Sequence, residues 1–402
     1  MSSPHIASRL QRIKPSPSTS AADRANALRR AGRSIVNLVV GEPDFDTPAT
    51  IRDAAKKALD DGATRYTLML GTMELRAAIV AKLQRENRLA YAPDEVIVTA
   101  GAKSAIHTAF AVTLEPGDEV LIPAPYWVSY PDMVVSCDGT PVTLVCTEEN
   151  DFKLTPRQLE AAITPRTRWL LINSPSNPTG AAYGAGEYRA LADVLLRHPQ
   201  VMVMTDDIYE HIVYTDQATP HLLAVEPRLR GRTLAINGVS KTYAMTGWRI
   251  GWAAGPRPVI DAMCTLLSQS SGNCCAVSQA AAAEALSGDQ SFVSESVAVY
   301  RRRRDVALAA LRAVPGLHCR TPEGAFYLYV NCAGLLGKAT PDGKRLESDH
   351  DVVMYLLESE GVAVIAGSAY GLAPFFRMSI ATAQETIEEG CLRIARAVSR
   401  LA

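Results

Sequence analysis

Trp169-Leu-Leu-Ile-Asn-Ser-Pro-Ser-Asn-Pro-Thr-Gly180 and Val201-Met-Val-Met-Thr-Asp-Asp-Ile-Tyr-Glu-His211 share one construction: a short apolar run that ends abruptly in polar residues. An amphipathic helical pattern over 185–197 separates them. Strand, helix and strand in that order are the unit of a parallel sheet. The alternation continues outward. Strands are predicted at Glu95–Thr99, Glu119–Ile122, Val142–Val145, Trp169–Asn173, Val201–Thr205, Thr233–Ile236 and Arg249–Ala253, with further helices near 50–60, 72–89, 102–114 and 256–269. The expected fold class is α/β, a mostly parallel seven-stranded sheet covered by helices on both faces.

Beyond about 290 the pattern changes. A long helix (about 291–313) leads to the strand Gly324-Ala-Phe-Tyr-Leu-Tyr-Val330, a polar loop (333–348), another helix, short strands near 362–365 and 375–380, and a closing helix. This reads as a smaller α+β domain over 291–402, after a large domain over 46–290. Residues 1–45 form an N-terminal arm and part of the small domain. Within the arm, Lys14-Pro-Ser-Pro-Ser-Thr-Ser20 reads as a mobile or docking segment. No internal repeat is present.

The 402 residues carry 41 basic and 42 acidic side chains, a net charge of -1, which argues against nucleic acid or an anionic membrane as the main partner. The run Arg301–Arg304, flanked by Val297-Ala-Val-Tyr300 and Val306-Ala-Leu-Ala-Ala-Leu311, reads as a solvated helix face. Eight cysteines without a Cys-x-x-Cys pair, the adjacent Cys274-Cys275 included, suggest free thiols and neither a disulfide framework nor a metal site. No apolar run approaches a membrane span, and Met-Ser-Ser-Pro-His lacks a signal-peptide core. A reducing cytoplasm is the expectation.

Ligands of open α/β sheets gather at the carboxyl ends of the strands. Three such ends here are polar. The first leads to Asn177, whose amide can donate to a phenolate, although Asn-Pro-Thr-Gly is also an ordinary turn. The second carries Asp206 and Asp207. An acid at a buried strand end needs a cationic partner, such as a protonated pyridine nitrogen, or else it caps a helix; capping suits Asp207 better than Asp206. Tyr209 follows within reach of a ring hydroxyl. The third runs through Asn237-Gly-Val-Ser-Lys-Thr-Tyr-Ala-Met-Thr-Gly-Trp-Arg-Ile-Gly251, where Lys241 offers an amine that condenses with aldehydes and Arg249 a planar fork for phosphate. Pyridoxal 5'-phosphate has both handles. Upstream, Val98-Thr-Ala-Gly-Ala-Lys-Ser104 is a strand, a small-residue turn and a helix start, an arrangement that binds phosphate through free amides, Lys103 contributing its amide more than its side chain. Trp127 suits stacking on a planar ring or filling a core. Arg377, a lone cation in Phe375-Phe-Arg-Met-Ser379, should bind a carboxylate, either internal or from a substrate.

Gly41-Glu-Pro-Asp-Phe-Asp-Thr-Pro48, Ala124-Pro-Tyr-Trp-Val-Ser-Tyr-Pro131, Asn173–Gly180, Asp206–His211, Ser240–Gly251 and Pro322-Glu-Gly-Ala-Phe-Tyr327 stand in one order. In this the chain resembles the class I/II, fold-type I pyridoxal-phosphate aminotransferases over nearly its whole length, and among them the bacterial aspartate aminotransferase branch. The resemblance implies that Lys241 holds the cofactor and moves the substrate proton. It implies that Asp206 keeps the pyridine nitrogen protonated, Asn177 and Tyr209 bind the ring oxygen and Trp127 stacks on the ring. Gly101, Ala102, Lys103 and Arg249 would hold the phosphate, and Arg377 the substrate α-carboxylate near the Gly41 backbone. Tyr66 would reach the phosphate of a neighbouring subunit, which implies a homodimer with shared active sites.

The chain departs from its relatives at Tyr66-Thr-Leu-Met-Leu-Gly71, Gly101-Ala-Lys103, Ile380 and Ser271-Gly-Asn-Cys-Cys-Ala276. None of these changes removes a cofactor anchor, but several bear on the amino donor. Arg12 or Lys14 would bind a distal carboxylate of aspartate, glutamate or prephenate, or else is an exposed cation. The expected activity is ping-pong transamination from an L-amino acid, aspartate favoured, to a 2-oxo acid such as 2-oxoglutarate. The competing enzyme readings are an aminotransferase for another donor (aromatic, prephenate or glutamate, or branched) and a carbon–sulfur β-lyase of the same fold, which would release pyruvate and ammonia without an acceptor. A non-enzymatic regulator would tolerate loss of Lys241.

Overall fold

The computed structural model describes residues 6–15, 17–216 and 219–402. The first five residues and Ser16 of the arm lie outside this description. Seven strands form the main sheet in the order Val96–Thr99, Gly251–Ala254, Thr233–Gly238, Met202–Asp206, Thr167–Asn173, Glu119–Ala124, Thr140–Val145. All pairings are parallel except the two made by Gly251–Ala254, which is antiparallel to both neighbours.

Alternation of side chains along each strand builds two cores at once. Leu170, Ile172, Val203 and Trp252 point to one face, while Trp169, Leu171, Met204 and Ala253 point to the other. The helices Met73–Asn87 and Ala185–Arg197 cover the first face, and Ala102–Thr113 and Arg257–Ser268 the second. A third core gathers Tyr300, Leu308, Phe326, Leu328, Phe376 and Met378 around a four-stranded sheet ordered Ile365–Ala366, Phe375–Ser379, Tyr327–Asn331, His318–Cys319. Val36–Asn37 pairs in parallel with Val362–Ala363, tying the early chain to this region. The segment read as one strand near 362–365 is therefore two, in different sheets.

Two expectations fail, and the arm segment read as mobile or docking enters a helix, Pro17–Arg30. Proline is well tolerated at a first helical position, where its missing N–H is not needed. Arg249 is not in a strand; it adopts a left-handed conformation (φ 55°) two residues before Gly251–Ala254 begins. The Arg301–Arg304 run is not a uniformly wet face. Arg303 is buried and paired with Asp44, and Arg304 lies over the Tyr214 ring and donates to the Pro322 carbonyl. The helices Tyr130–Ser136, Pro156–Ala162 and Ala276–Ser287 were not foreseen. No helix among the described residues is long and apolar enough to cross a membrane.

Candidate active site

Register brings the three polar strand ends side by side. Asn173 is paired with Asp206, and Asp206 with Ile236. The loops that follow deliver Asn177, Tyr209 and Lys241 to one cavity of about 590 Å³, which Gly41, Ala102, Lys103, Trp127, Asp206, Arg249 and Arg377 also line.

At one end the Ala102–Thr113 helix starts directly after Gly101, whose φ of +86° suits only glycine. A Cβ there would lie 2.5 Å from Arg249 Nη2, and one on Gly251 would lie 2.3 Å from the Ala102 nitrogen. The absence of both side chains lets the guanidinium sit against the helix start. Arg249 donates to the carbonyls of Thr246 and Ala100 at 3.0 Å each and forms no ion pair among the described residues. Helix-start amides and a guanidinium held by carbonyls without a carboxylate partner among the described residues together make an anion cradle. Lys103 Nζ stands 4.8 Å from the centre of the Trp127 ring. Burial and the neighbouring Arg249 lower its proton affinity.

Asp206 is buried and accepts a 2.6 Å hydrogen bond from Tyr130. Burial pushes its carboxyl up to about 6, although the Tyr130 bond acts in the opposite direction. No cation pairs with it among the described residues, so the carboxylate has a cavity-facing position and no counter-ion. Asp207 is not a helix cap; it accepts from Thr205 Oγ1 at 2.7 Å and meets His221 Nε2 at 3.2 Å.

Arg377 is 2 % exposed. It donates to Asn177 Oδ1 at 3.1 Å and to the Val39 carbonyl at 2.7 Å, between the rings of Tyr327 and Tyr370. Its Nε has no partner, and no internal carboxylate reaches it among the described residues. Of the two readings of this arginine, the internal ion pair is excluded. A buried charge left in this condition costs on the order of several kcal/mol, which an incoming carboxylate would offset.

Lys241 lies between these groups, its Nζ donating to the Gly41 carbonyl at 2.7 Å. Burial pushes the amine down to about 8, aided by Arg249 and Arg377 and opposed by Glu42 and Asp206. An amine that deprotonates near neutrality is both a nucleophile and a base. Tyr209 is buried and its hydroxyl is 3.0 Å from that of Tyr327.

Tyr66, expected at a neighbouring subunit's phosphate and not in this chain's own cavity, is 96 % exposed. Arg12 pairs with Asp138 and, with Lys14, lines a separate cavity; Lys14 also borders a shallower one that shares Lys103 and Arg249. All eight cysteines are unpaired. The one cluster of metal-ligand type among the described residues, Glu86, Glu210 and His211, already holds the Lys82 ammonium. Tyr130 and Tyr327 carry contacts that sequence reasoning did not assign, although both sit inside the quoted motifs.

A family model, "Aminotransferase class I and II", matches residues 33–394. An aspartate aminotransferase of Rhizobium meliloti (strain 1021) is 52% identical over 395 residues, spanning 98% of this chain and 96% of that protein. An aspartate/prephenate aminotransferase of Cereibacter sphaeroides is 52% identical over 385 residues, 96% of each. A Rhizobium meliloti aspartate aminotransferase crystal structure superposes with a TM-score of 0.97 at 52% identity, covering 99% of this chain and 100% of that one. The Thermus thermophilus aspartate aminotransferase with maleate gives 0.91 at 39% identity, covering 98% and 100%.

Proposed function

The chain belongs to the class I and II aminotransferases, a pyridoxal-phosphate-dependent transaminase, and from that premise we propose that L-aspartate is its amino donor and 2-oxoglutarate its acceptor in a two-step exchange. Three features of the cavity fit the cofactor. Asp206 is a buried acid without a cation, Gly101 and Arg249 form an anion cradle, and Lys241 is an amine with depressed proton affinity. Lys241 would hold the aldehyde carbon, Asp206 the ring nitrogen and Asn177 with Tyr209 the ring oxygen. Trp127 would cover the ring face, and Gly101, Ala102, Lys103 and Arg249 would hold the phosphate. Bound pyridoxal phosphate supplies the electron sink that lets a Cα–H bond break.

The protein's own part is orientation and proton transfer. Arg377 takes the substrate α-carboxylate, which fixes Cα in front of Lys241. The Lys241 amine would accept the proton from the donor's Cα and deliver it, in the same half-reaction, to the carbon that had been the cofactor's aldehyde carbon, while the buried walls limit water. The observation that carries this reading is the buried, ion-pair-free Arg377 facing the same cavity as the Lys241 amine.

An acidic donor is supported by Lys103, whose ammonium has no carboxylate partner among the described residues, and by the names of the relatives. Maleate in the Thermus structure is itself a dicarboxylate. Prephenate as an alternative substrate rests on the name of the Cereibacter relative. The reading extends to a cytoplasmic homodimer in which the exposed Tyr66 meets the neighbouring subunit's phosphate. A donor–acceptor activity matrix tests the proposal. Aspartate with 2-oxoglutarate should lead it, and a neutral donor outpacing aspartate would overturn the assignment. Lys103→Ala is expected to lower kcat/KM for aspartate about tenfold more than for alanine, the loss of one charge-assisted hydrogen bond.

Tyr130→Phe removes the hydroxyl that donates to Asp206. Cofactor affinity is expected to fall about tenfold, measured as the dissociation constant of added pyridoxal phosphate. An unchanged constant would show that Tyr130 only packs.

A further inference from the structure

The segment from Gly41 to Thr47 is fastened to the lysine segment at three places. The Gly41 carbonyl accepts from Lys241, the Glu42 carboxylate accepts from Thr246 at 2.8 Å, and Thr47 Oγ1 donates to the Ala244 carbonyl at 2.6 Å while accepting from the Trp248 indole at 3.0 Å. Its outer side is held by the helix Ser291–Arg312. Both oxygens of Asp44 accept from Arg303, at 2.7 and 2.8 Å, and the Arg303 side chain is 9% exposed. The guanidinium lies over the rings of Phe45 and Tyr300, and Phe45 meets Phe292 and Tyr300 edge-on. A two-point contact of a planar fork with a carboxylate fixes direction as well as distance.

We infer that the Arg303–Asp44 pair is a positioning device that presses the Gly41–Glu42 turn against the Lys241 amine. The inference rests on the reading of Lys241 as the working amine and extends it to a pair outside the cavity. The charged groups facing that amine are Glu42, Arg249, Arg377 and Asp206. Of these, Glu42 belongs to the clamped turn. Slackening the turn withdraws one hydrogen-bond acceptor and one anion from the ammonium, so the amine should lose its proton more readily. A merely structural ion pair would alter melting and leave the amine as it was.

The test compares Asp44→Asn, Arg303→Met and Arg303→Lys with Arg166→Met, which breaks the Glu119 ion pair at the opposite end of the sheet. In cofactor-free protein, cyanate labelling of Lys241, followed across pH by mass spectrometry, gives the amine's midpoint directly. In Asp44→Asn and Arg303→Met it should fall by about half a unit or more. In loaded enzyme kcat should fall about tenfold, with KM changed less than about twofold. Arg303→Lys should recover part of both effects, and Arg166→Met should show neither. Should Arg303→Met fail to fold, the isosteric Asp44→Asn decides alone. A folded Asp44→Asn whose midpoint stays within about 0.2 unit of the parent overturns the inference. Lys241→Ala separates the two levels: an active Lys241→Ala removes the underlying reading, whereas an inactive one beside an unshifted Asp44→Asn removes only the clamp.

Discussion

Lys241→Ala is expected to lower kcat for aspartate transamination by about 10⁴-fold or more, because in the proposed assignment it deletes the nucleophile and the proton carrier together. The side chain donates one hydrogen bond, to Gly41, and forms no ion pair among the described residues, so folding should survive. The variant should melt as the parent does, and borohydride should no longer fix the vitamin covalently to the chain. Retention of more than about a tenth of the activity would show that another group moves the proton.

The second large effect concerns Arg377. Its replacement by methionine should cut kcat/KM for aspartate by about 10²- to 10³-fold, the range for losing one partner of a desolvated charge pair. Stability should move the other way. The guanidinium is buried with an unsatisfied Nε and no counter-ion, so an apolar side chain of similar length should leave the melting temperature of ligand-free protein unchanged or raise it. Arg377→Lys should not restore activity, because an ammonium lacks the two-pronged geometry. A destabilised Arg377→Met with near-normal kcat/KM would make the arginine a structural residue.

The main sheet was legible because short, nearly continuous apolar runs ending in polar residues, separated by helical patterns, are a strong signal of strands covered on both faces. All seven strands lie within a few residues of their expected bounds. The helix Ala276–Ser287 was not legible: it is buried on most sides and its alanine-rich sequence carries almost no amphipathic contrast. Within the site, the groups on successive strand ends could be read from spacing, since parallel register leaves them adjacent. Long-range partners could not. Nothing near Tyr130 in sequence points to Asp206, and nothing in Arg301–Arg304 distinguishes Arg303 from its neighbours until Asp44 is seen against it. Arg12 and Lys14 stood out on charge alone; both line another cavity, and Lys14 also borders one shared with Lys103 and Arg249.

The order in which the cavity's walls occur along the chain bears on its biogenesis. The lysine-bearing sheet is complete in sequence at Ala254, whereas Tyr327 and Arg377 belong to strands made much later. Domains of a growing polypeptide generally fold from the amino terminus as they leave the ribosome. In the proposed assignment, a nascent chain therefore owns the vitamin's attachment point before it owns the guanidinium that would select what the vitamin acts upon.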